Sequence, residues 1–224
     1  MRLRLNNVKA VLFDLDGTLL DSAPDLSFAA NQLRIRRGKE ALPMSAYRPF
    51  VGTGARGMVR IALSITPEDE SFEDLKEEFF QAYEACMGQN SQLFDGVDVL
   101  LTKLVTQNIP WGIVTNKAER FTLPIVNAVT QFSSAGALVC GDTTMHSKPH
   151  PLPLQEAAKR LGVPTQQCVY VGDDERDIQA ARAAGMQSVA AAYGYLGGVE
   201  TLTAWQPDFI INSPTEISGL LDLD

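Results

Sequence analysis

Asp14 and Asp16 stand two residues apart after the apolar run Val8-Lys9-Ala10-Val11-Leu12-Phe13, and Gly17 and Thr18 follow them. A second apolar run ends in Thr115-Asn116, and Lys148 lies in the proline-flanked stretch Ser147-Lys148-Pro149-His150-Pro151. A third run ends in Gly172-Asp173-Asp174, with Asp177 shortly after. Four regions of the chain thus supply paired acids, a hydroxyl with an amide, an ammonium, and a second group of acids. Carboxylates gathered in one buried place repel, and their pKa values rise unless a cation intervenes. A hard divalent ion with oxygen ligands answers that need, and Mg2+ suits one or two carboxylates, waters and a phosphate oxygen.

The elements that must position these residues follow from the hydrophobic pattern. Short apolar, β-branched runs at 8–13, 111–115, 137–140, 168–171, 188–191 and 208–211 predict buried strands. Stretches with helical spacing at 119–129, 152–161, 174–184 and 215–221 lie between or after them, and Gly162 and Gly185 occupy helix C-cap positions. Strand alternating with helix implies an α/β fold, with a parallel sheet covered on both faces. In such a sheet ligands bind beyond the carboxyl ends of the strands, where the polar residues above are found. Residues 22–94 break the alternation. They predict helices at 24–36, 54–63 and 72–87, no strand, and turns at Pro43, Pro49, Gly52 and Pro67. A helical insertion after the first strand is expected to sit above the strand ends as a lid.

Composition narrows the class. The 224 residues include 19 basic and 27 acidic side chains, a net charge of −8, and 45% hydrophobic residues. That fits a soluble chain with one core domain and a modest insertion. An acidic balance argues against nucleic-acid binding, which needs clustered Lys and Arg. No apolar stretch approaches the length of a membrane span, and the N-terminus lacks the pattern of an export signal. Cys86, Cys140 and Cys168 fit no disulfide or zinc pattern and are expected to be reduced thiols in a cytoplasmic protein.

Taken singly, each motif has a duller explanation as a turn, a cap or a solvated charge. Taken in order, Asp14-Leu15-Asp16-Gly17-Thr18, Thr115-Asn116, Lys148-Pro149 and Gly172-Asp173-Asp174-x-x-Asp177 resemble the four motifs of the haloacid dehalogenase superfamily of phosphohydrolases. The resemblance covers essentially the whole chain. It implies a Rossmann-like parallel-sheet three-layer core over 1–21 and 95–224, with an inserted helical cap over 22–94. By resemblance Asp14 is the nucleophile that forms an aspartyl phosphate, and Asp16 is the general acid/base. Relatives that cleave carbon–halogen bonds lack the second carboxylate, so Asp16 favours phosphoryl chemistry. Thr115 is expected to hold phosphoryl oxygens, with Asn116 in support, and Lys148 to neutralise charge. Asp14, the main-chain carbonyl of Asp16 and Asp173 are the expected Mg2+ ligands. Asp177 is expected to bind a metal water or orient Lys148, and Asp174 to make an outer contact.

Gly52-Thr53-Gly54-Ala55-Arg56-Gly57 matches the dinucleotide fingerprint letter for letter, but no convincing strand precedes it and no βαβ unit surrounds it. It is expected instead to open a helix of the lid, where Arg56 either reaches an anionic substrate or makes a surface pair. Within the superfamily the chain is similar to the phosphoglycolate phosphatase group through Gly112-Ile113-Val114-Thr115-Asn116-Lys117, the 147–151 stretch and Tyr193-Gly194-Tyr195. It is also similar to bacterial N-acetylmuramic acid 6-phosphate phosphatases through the 54–59 stretch, Asn116-Lys117-x-x-Arg120-Phe121 and Asp173-Asp174. The resemblance therefore implies a Mg2+-dependent phosphomonoesterase for a small phosphate ester, phosphoglycolate phosphatase-like. The muramic acid phosphatase is the alternative, and a phosphosugar mutase on the same scaffold a further one. Partners beyond the small molecule, whether nucleic acid or membrane, are not expected, and nothing in the sequence indicates an oligomeric state.

Overall fold

The computed structural model describes residues 4–196 and 199–223. In chain order the strands are β1 (Ala10–Phe13), β2 (Leu20–Asp21), β3 (Gln92–Leu93), β4 (Trp111–Val114), β5 (Ala137–Val139), β6 (Cys168–Gly172), β7 (Gln187–Ala191) and β8 (Phe209–Ile211). The α-helices are α1 (Ala23–Ile35), α2 (Met44–Tyr47), α3 (Gly54–Leu63), α4 (Phe72–Glu84), α5 (Val97–Thr106), α6 (Glu119–Ala128), α7 (Leu152–Leu161), α8 (Glu175–Ala184), α9 (Val199–Ala204) and α10 (Glu216–Leu220). Six strands form one parallel sheet in the order β5-β4-β1-β6-β7-β8. The chain therefore builds outward from β1 to one side, then crosses and builds to the other. The order reverses beside β1, and in an open α/β sheet that switch point is where ligands bind.

Every residue of β1, β4 and β6 is buried, and successive side chains serve opposite faces. On one face Val11 and Phe13 pack with Val97, Leu100 and Leu104 of α5, Ile125 of α6, and Trp111. On the other, Ala10 and Leu12 pack with Tyr170, Leu154 and Ala157 of α7, and Ala181 of α8. Two apolar layers thus cover one sheet, the three-layer α/β core expected from the alternation. Gly162 and Gly185 end α7 and α8 in the left-handed conformation, at φ +69° and +71°.

Helices α5 and α9 add to the expected elements. Val97, Leu100, Leu101 and Leu104 are buried at helical spacing, which is the signal that locates α5. Residues 44–53, expected only as turns between helices, form α2 and a 3-10 helix, Arg48–Thr53. Strand β3 falls inside the segment expected to hold no strand, and it pairs with β2.

The chain divides into two compact units, one of Met1–Leu20 with Leu93–Asp224 and one of Asp21–Gln92. In the second, Leu33, Tyr47, Met58, Phe72, Phe79 and Tyr83 are buried, and Phe79 stacks on Tyr83. Asn31 closes the 36–43 connection: its amide exchanges two 2.9 Å hydrogen bonds with the main chain of Leu42, and its oxygen also accepts the Tyr47 hydroxyl. Cys86, Cys140 and Cys168 are buried free thiols. No described helix is long and apolar enough to cross a membrane.

Candidate active site

The N–H of Asp14 donates to Val171 O at 2.9 Å, one residue beyond the end of β1, so the nucleophile candidate is anchored to the sheet by its own backbone. Its Oδ1 accepts the Leu15 N–H at 2.8 Å and lies 2.9 Å from Lys148 Nζ. Lys148 Nζ also lies 2.8 Å from Asp177 Oδ1, in surroundings that leave its side chain 3% exposed. Carboxylate oxygens of Asp14, Asp173 and Asp177 come within 4.8 Å of one another. Asp173 is held from two sides, by the Tyr195 N–H on Oδ2 at 2.9 Å and the Thr18 hydroxyl on Oδ1 at 3.4 Å. Gly17 lies against this carboxylate at φ +88°, where a Cβ would collide with it.

Three carboxylates share one ammonium here, and burial magnifies the imbalance. Burial pushes the Asp14 carboxyl up to about 7; Lys148 opposes the shift, and the charges of Asp177 and Asp16 add to it. Burial, then the charges of Asp14 and Asp177, raises Asp173 well above the usual carboxylate range. Lys148 responds the other way: burial would lower it, but its two carboxylate partners outweigh that and raise it. A buried acid cluster with surplus negative charge and only oxygen donors suits a hard divalent cation. The donor set fits.

Local sequence explains the remaining geometry. Asp174 caps α8: its Oδ1 accepts the Arg176 N–H at 2.9 Å, and the Asp174 N–H donates to Asp177 Oδ2 at 3.1 Å. Asp177 therefore serves the helix with one oxygen and Lys148 with the other. Asp174 is also gripped by the Arg176 guanidinium at 2.7 and 2.8 Å. Although burial would raise its pKa, that guanidinium holds it below the usual value. It does not belong to the three-carboxylate cluster. Thr115 is buried, and its hydroxyl accepts the Lys117 N–H at 3.2 Å. The Asn116 amide exchanges two 2.9 Å hydrogen bonds with the main chain of Lys148, so it holds the lysine loop. Arg56 is exposed in the first turn of α3, in the other unit.

Two contributors were given no role in the site from sequence. Lys117 Nζ lies 3.0 and 3.1 Å from the two oxygens of Asp16, with both side chains largely buried. Its position directly after Thr115-Asn116 was the available signal. Tyr170, a strand residue among valines, reads as core, yet its hydroxyl lies 2.7 Å from Lys148 Nζ.

Residues 11–191 match the family model described as haloacid dehalogenase-like hydrolase. The chain belongs to the haloacid dehalogenase-like hydrolase family. It is 47% identical over 209 residues to a phosphoglycolate phosphatase of Xanthomonas campestris pv. campestris, covering 93% of this chain and 94% of that one. It is 38% identical over 215 residues to an N-acetylmuramic acid 6-phosphate phosphatase of Pseudomonas putida, covering 96% of each. A solved structure described as a predicted phosphoglycolate phosphatase from Haemophilus somnus matches with a TM-score of 0.84 at 26% identity, covering 96% of this chain and 99% of that one. Family and relatives together make this haloacid dehalogenase-like hydrolase a phosphatase.

The Asp16–Lys117 pair gives one expected result. With Asp16 as the acid, Lys117→Met should lower kcat/KM on an alkyl phosphate, which reports the phosphorylation step alone, roughly tenfold, short of the 10²–10⁴ that a proton-transfer group itself contributes. Nitrophenyl phosphate, whose leaving group needs no proton, should lose little in kcat/KM. Equal losses on both substrates would show that Lys117 does not act through Asp16.

Proposed function

We propose that this phosphatase is a Mg2+-dependent phosphomonoesterase for small phosphorylated metabolites, with phosphoglycolate as the leading substrate and an aspartyl phosphate as intermediate. What carries the proposal is the buried Lys148 held between Asp14 and Asp177, beside Asp173, in a chain 47% identical to a phosphoglycolate phosphatase.

Asp14 attacks phosphorus; its oxygen–phosphorus bond forms as the ester bond breaks, and the departing alkoxide takes a proton from Asp16. Asp16 then accepts a proton from a water whose oxygen attacks the phosphoryl group, releasing Asp14 and inorganic phosphate. Lys148 neutralises Asp14 and the phosphoryl oxygens, Asp177 keeps Lys148 in line, and Thr115 supplies a hydroxyl to a phosphoryl oxygen. Asn116 supports the lysine loop, and Asp174 supports Asp177 through the helix cap. Mg2+ held by Asp14, Asp173 and the main-chain carbonyl of Asp16 supplies the positive charge that lets two anions meet. Residues 22–94 act as the cap, and Arg56 is assigned to the part of the substrate remote from phosphorus. The enzyme works in the cytoplasm, where its three thiols stay reduced.

EDTA is expected to abolish turnover and added Mg2+ to restore it; full activity in EDTA overturns the metal assignment. The 38% identity to an N-acetylmuramic acid 6-phosphate phosphatase supports a second reading with that substrate. A comparison of kcat/KM decides between them. Phosphoglycolate is expected to lead by at least about tenfold, about 1.4 kcal/mol of transition-state binding. A tenfold lead for the muramic acid ester reverses the order. If Arg56 has the assigned role, Arg56→Ala raises KM for the preferred substrate and leaves nitrophenyl phosphate nearly unchanged.

A further inference from the structure

Tyr170 is fully buried, and its ring lies in the apolar layer with Leu12 and Val114. It stands on β6 opposite Leu12 of β1, and β1 separates β6 from β4. The side chain nevertheless reaches past β1: its Oη lies 2.7 Å from Val114 O at the end of β4 and 2.7 Å from Lys148 Nζ. It thereby ties together the two strands that flank the one carrying Asp14.

The hydrogens can be counted. Lys148 has three N–H bonds and, among the described residues, four oxygen neighbours: Asp177 Oδ1 at 2.8 Å, Asp14 Oδ1 at 2.9 Å, Tyr170 Oη at 2.7 Å and Val114 O at 3.1 Å. A carbonyl only accepts, and a tyrosine hydroxyl has one proton and lone pairs to spare. The phenol proton therefore goes to Val114 O, since Asp177 Oδ1 is farther away at 3.4 Å. The phenol oxygen then takes the third ammonium hydrogen, and the other two face the two carboxylates. Remove the hydroxyl and the third hydrogen must turn to Val114 O, which draws the ammonium toward β4.

We infer that Tyr170 is a positioning residue, whose hydroxyl fixes the Lys148 ammonium between Asp14 and Asp177. The geometry stands by itself; the kinetic consequence rests on the proposed phosphatase mechanism. Tyr170→Phe removes one oxygen and keeps the ring. It leaves Val114 O within reach of Lys148, so no buried carbonyl is orphaned.

The test uses the full chain with Mg2+ and nitrophenyl phosphate. Tyr170→Phe is expected to lower kcat about tenfold with KM changed less than twofold and the melting temperature within a few degrees. In a Lys148→Met background the same change should lower residual turnover less than twofold, because the residue it acts through is gone. A kcat within twofold of the parent, or equal losses in both backgrounds, overturns the inference. Tyr170→Leu is the second variant if the Phe variant does not fold; if neither folds, Tyr170 is a structural residue and the inference fails. Failure of the functional reading looks different, because the parent itself then hydrolyses nothing. In that event nitrogen-15 spectra of the lysine ammonium groups decide: the Lys148 signal must move in Tyr170→Phe, and an unmoved signal sinks the assignment.

Discussion

Asp14→Asn is expected to lower kcat on nitrophenyl phosphate by about 10⁴-fold or more, because an amide cannot form the proposed covalent intermediate and unit-like active-site groups fail together. Phosphate release and radiolabel trapped on the protein would both disappear; turnover within tenfold of the parent would falsify the nucleophile assignment. The same substitution should have the opposite effect on stability once metal is removed. In EDTA the parent keeps Asp14 in a place that pushes its carboxyl from 3.8 up to about 7. As pH rises through that window the unfolded chain gives up the proton first, so the folded state loses stability progressively and the loss levels off above about 7. Asn at this position has no proton to lose. The variant should therefore outlast the metal-free parent in urea above neutral pH by on the order of a few kcal/mol, with the gap closing toward pH 4. A pH-independent difference between the two would show that Asp14 is not the strained acid. Activity and stability pull against each other here because the acid cluster is built for a cation.

Asp25→Ala should be the most damaging substitution for stability in the other unit. Asp25, in the first turn of α1, is fully buried and accepts five hydrogen bonds from the returning segment. Its Oδ1 takes the Asn90 N–H and side-chain amide, and its Oδ2 takes the Gly88 N–H, the Ser91 N–H and the Ser91 hydroxyl, at 2.6–3.1 Å. Removing the carboxylate leaves that whole set of donors without an acceptor, a loss of about 3–5 kcal/mol by analogy with broken buried charge networks. Asp25→Asn should be nearly as harmful, since its NH2 would face donors. Trp111 and Trp205 both lie in the sheet-bearing unit, so urea unfolding must be followed by far-ultraviolet circular dichroism rather than by tryptophan fluorescence. A shift worth less than about 1 kcal/mol in that transition contradicts the network's importance.

The core strands were legible because strands of a buried parallel sheet are continuous apolar runs, and the residues of the candidate site were legible because they follow those runs directly. Helices α7 and α8 were equally plain, with apolar faces and glycine stops at Gly162 and Gly185. Residues 44–53 were less so: Pro49 and Gly52 read as turn formers, and only packing turns them into helix. Asp25 reads as an ordinary first-turn acid that favours a helix N-terminus. Its partners lie more than sixty residues ahead, and nothing local announces them.

Sequence alone thus determined which residue types gather, in what order, and on which ends of which elements, because periodicity and strand-end position are local properties. Tertiary structure alone decided that β1 lies centrally between β4 and β6, that Lys117 pairs with Asp16 across 101 positions, and that the Tyr170 hydroxyl reaches Lys148 rather than merely filling the core. Each of those depends on which strands become neighbours. That choice is made by burying whole faces against one another, and a hydrogen-bond partner far along the chain leaves no trace in the spacing of its own neighbours.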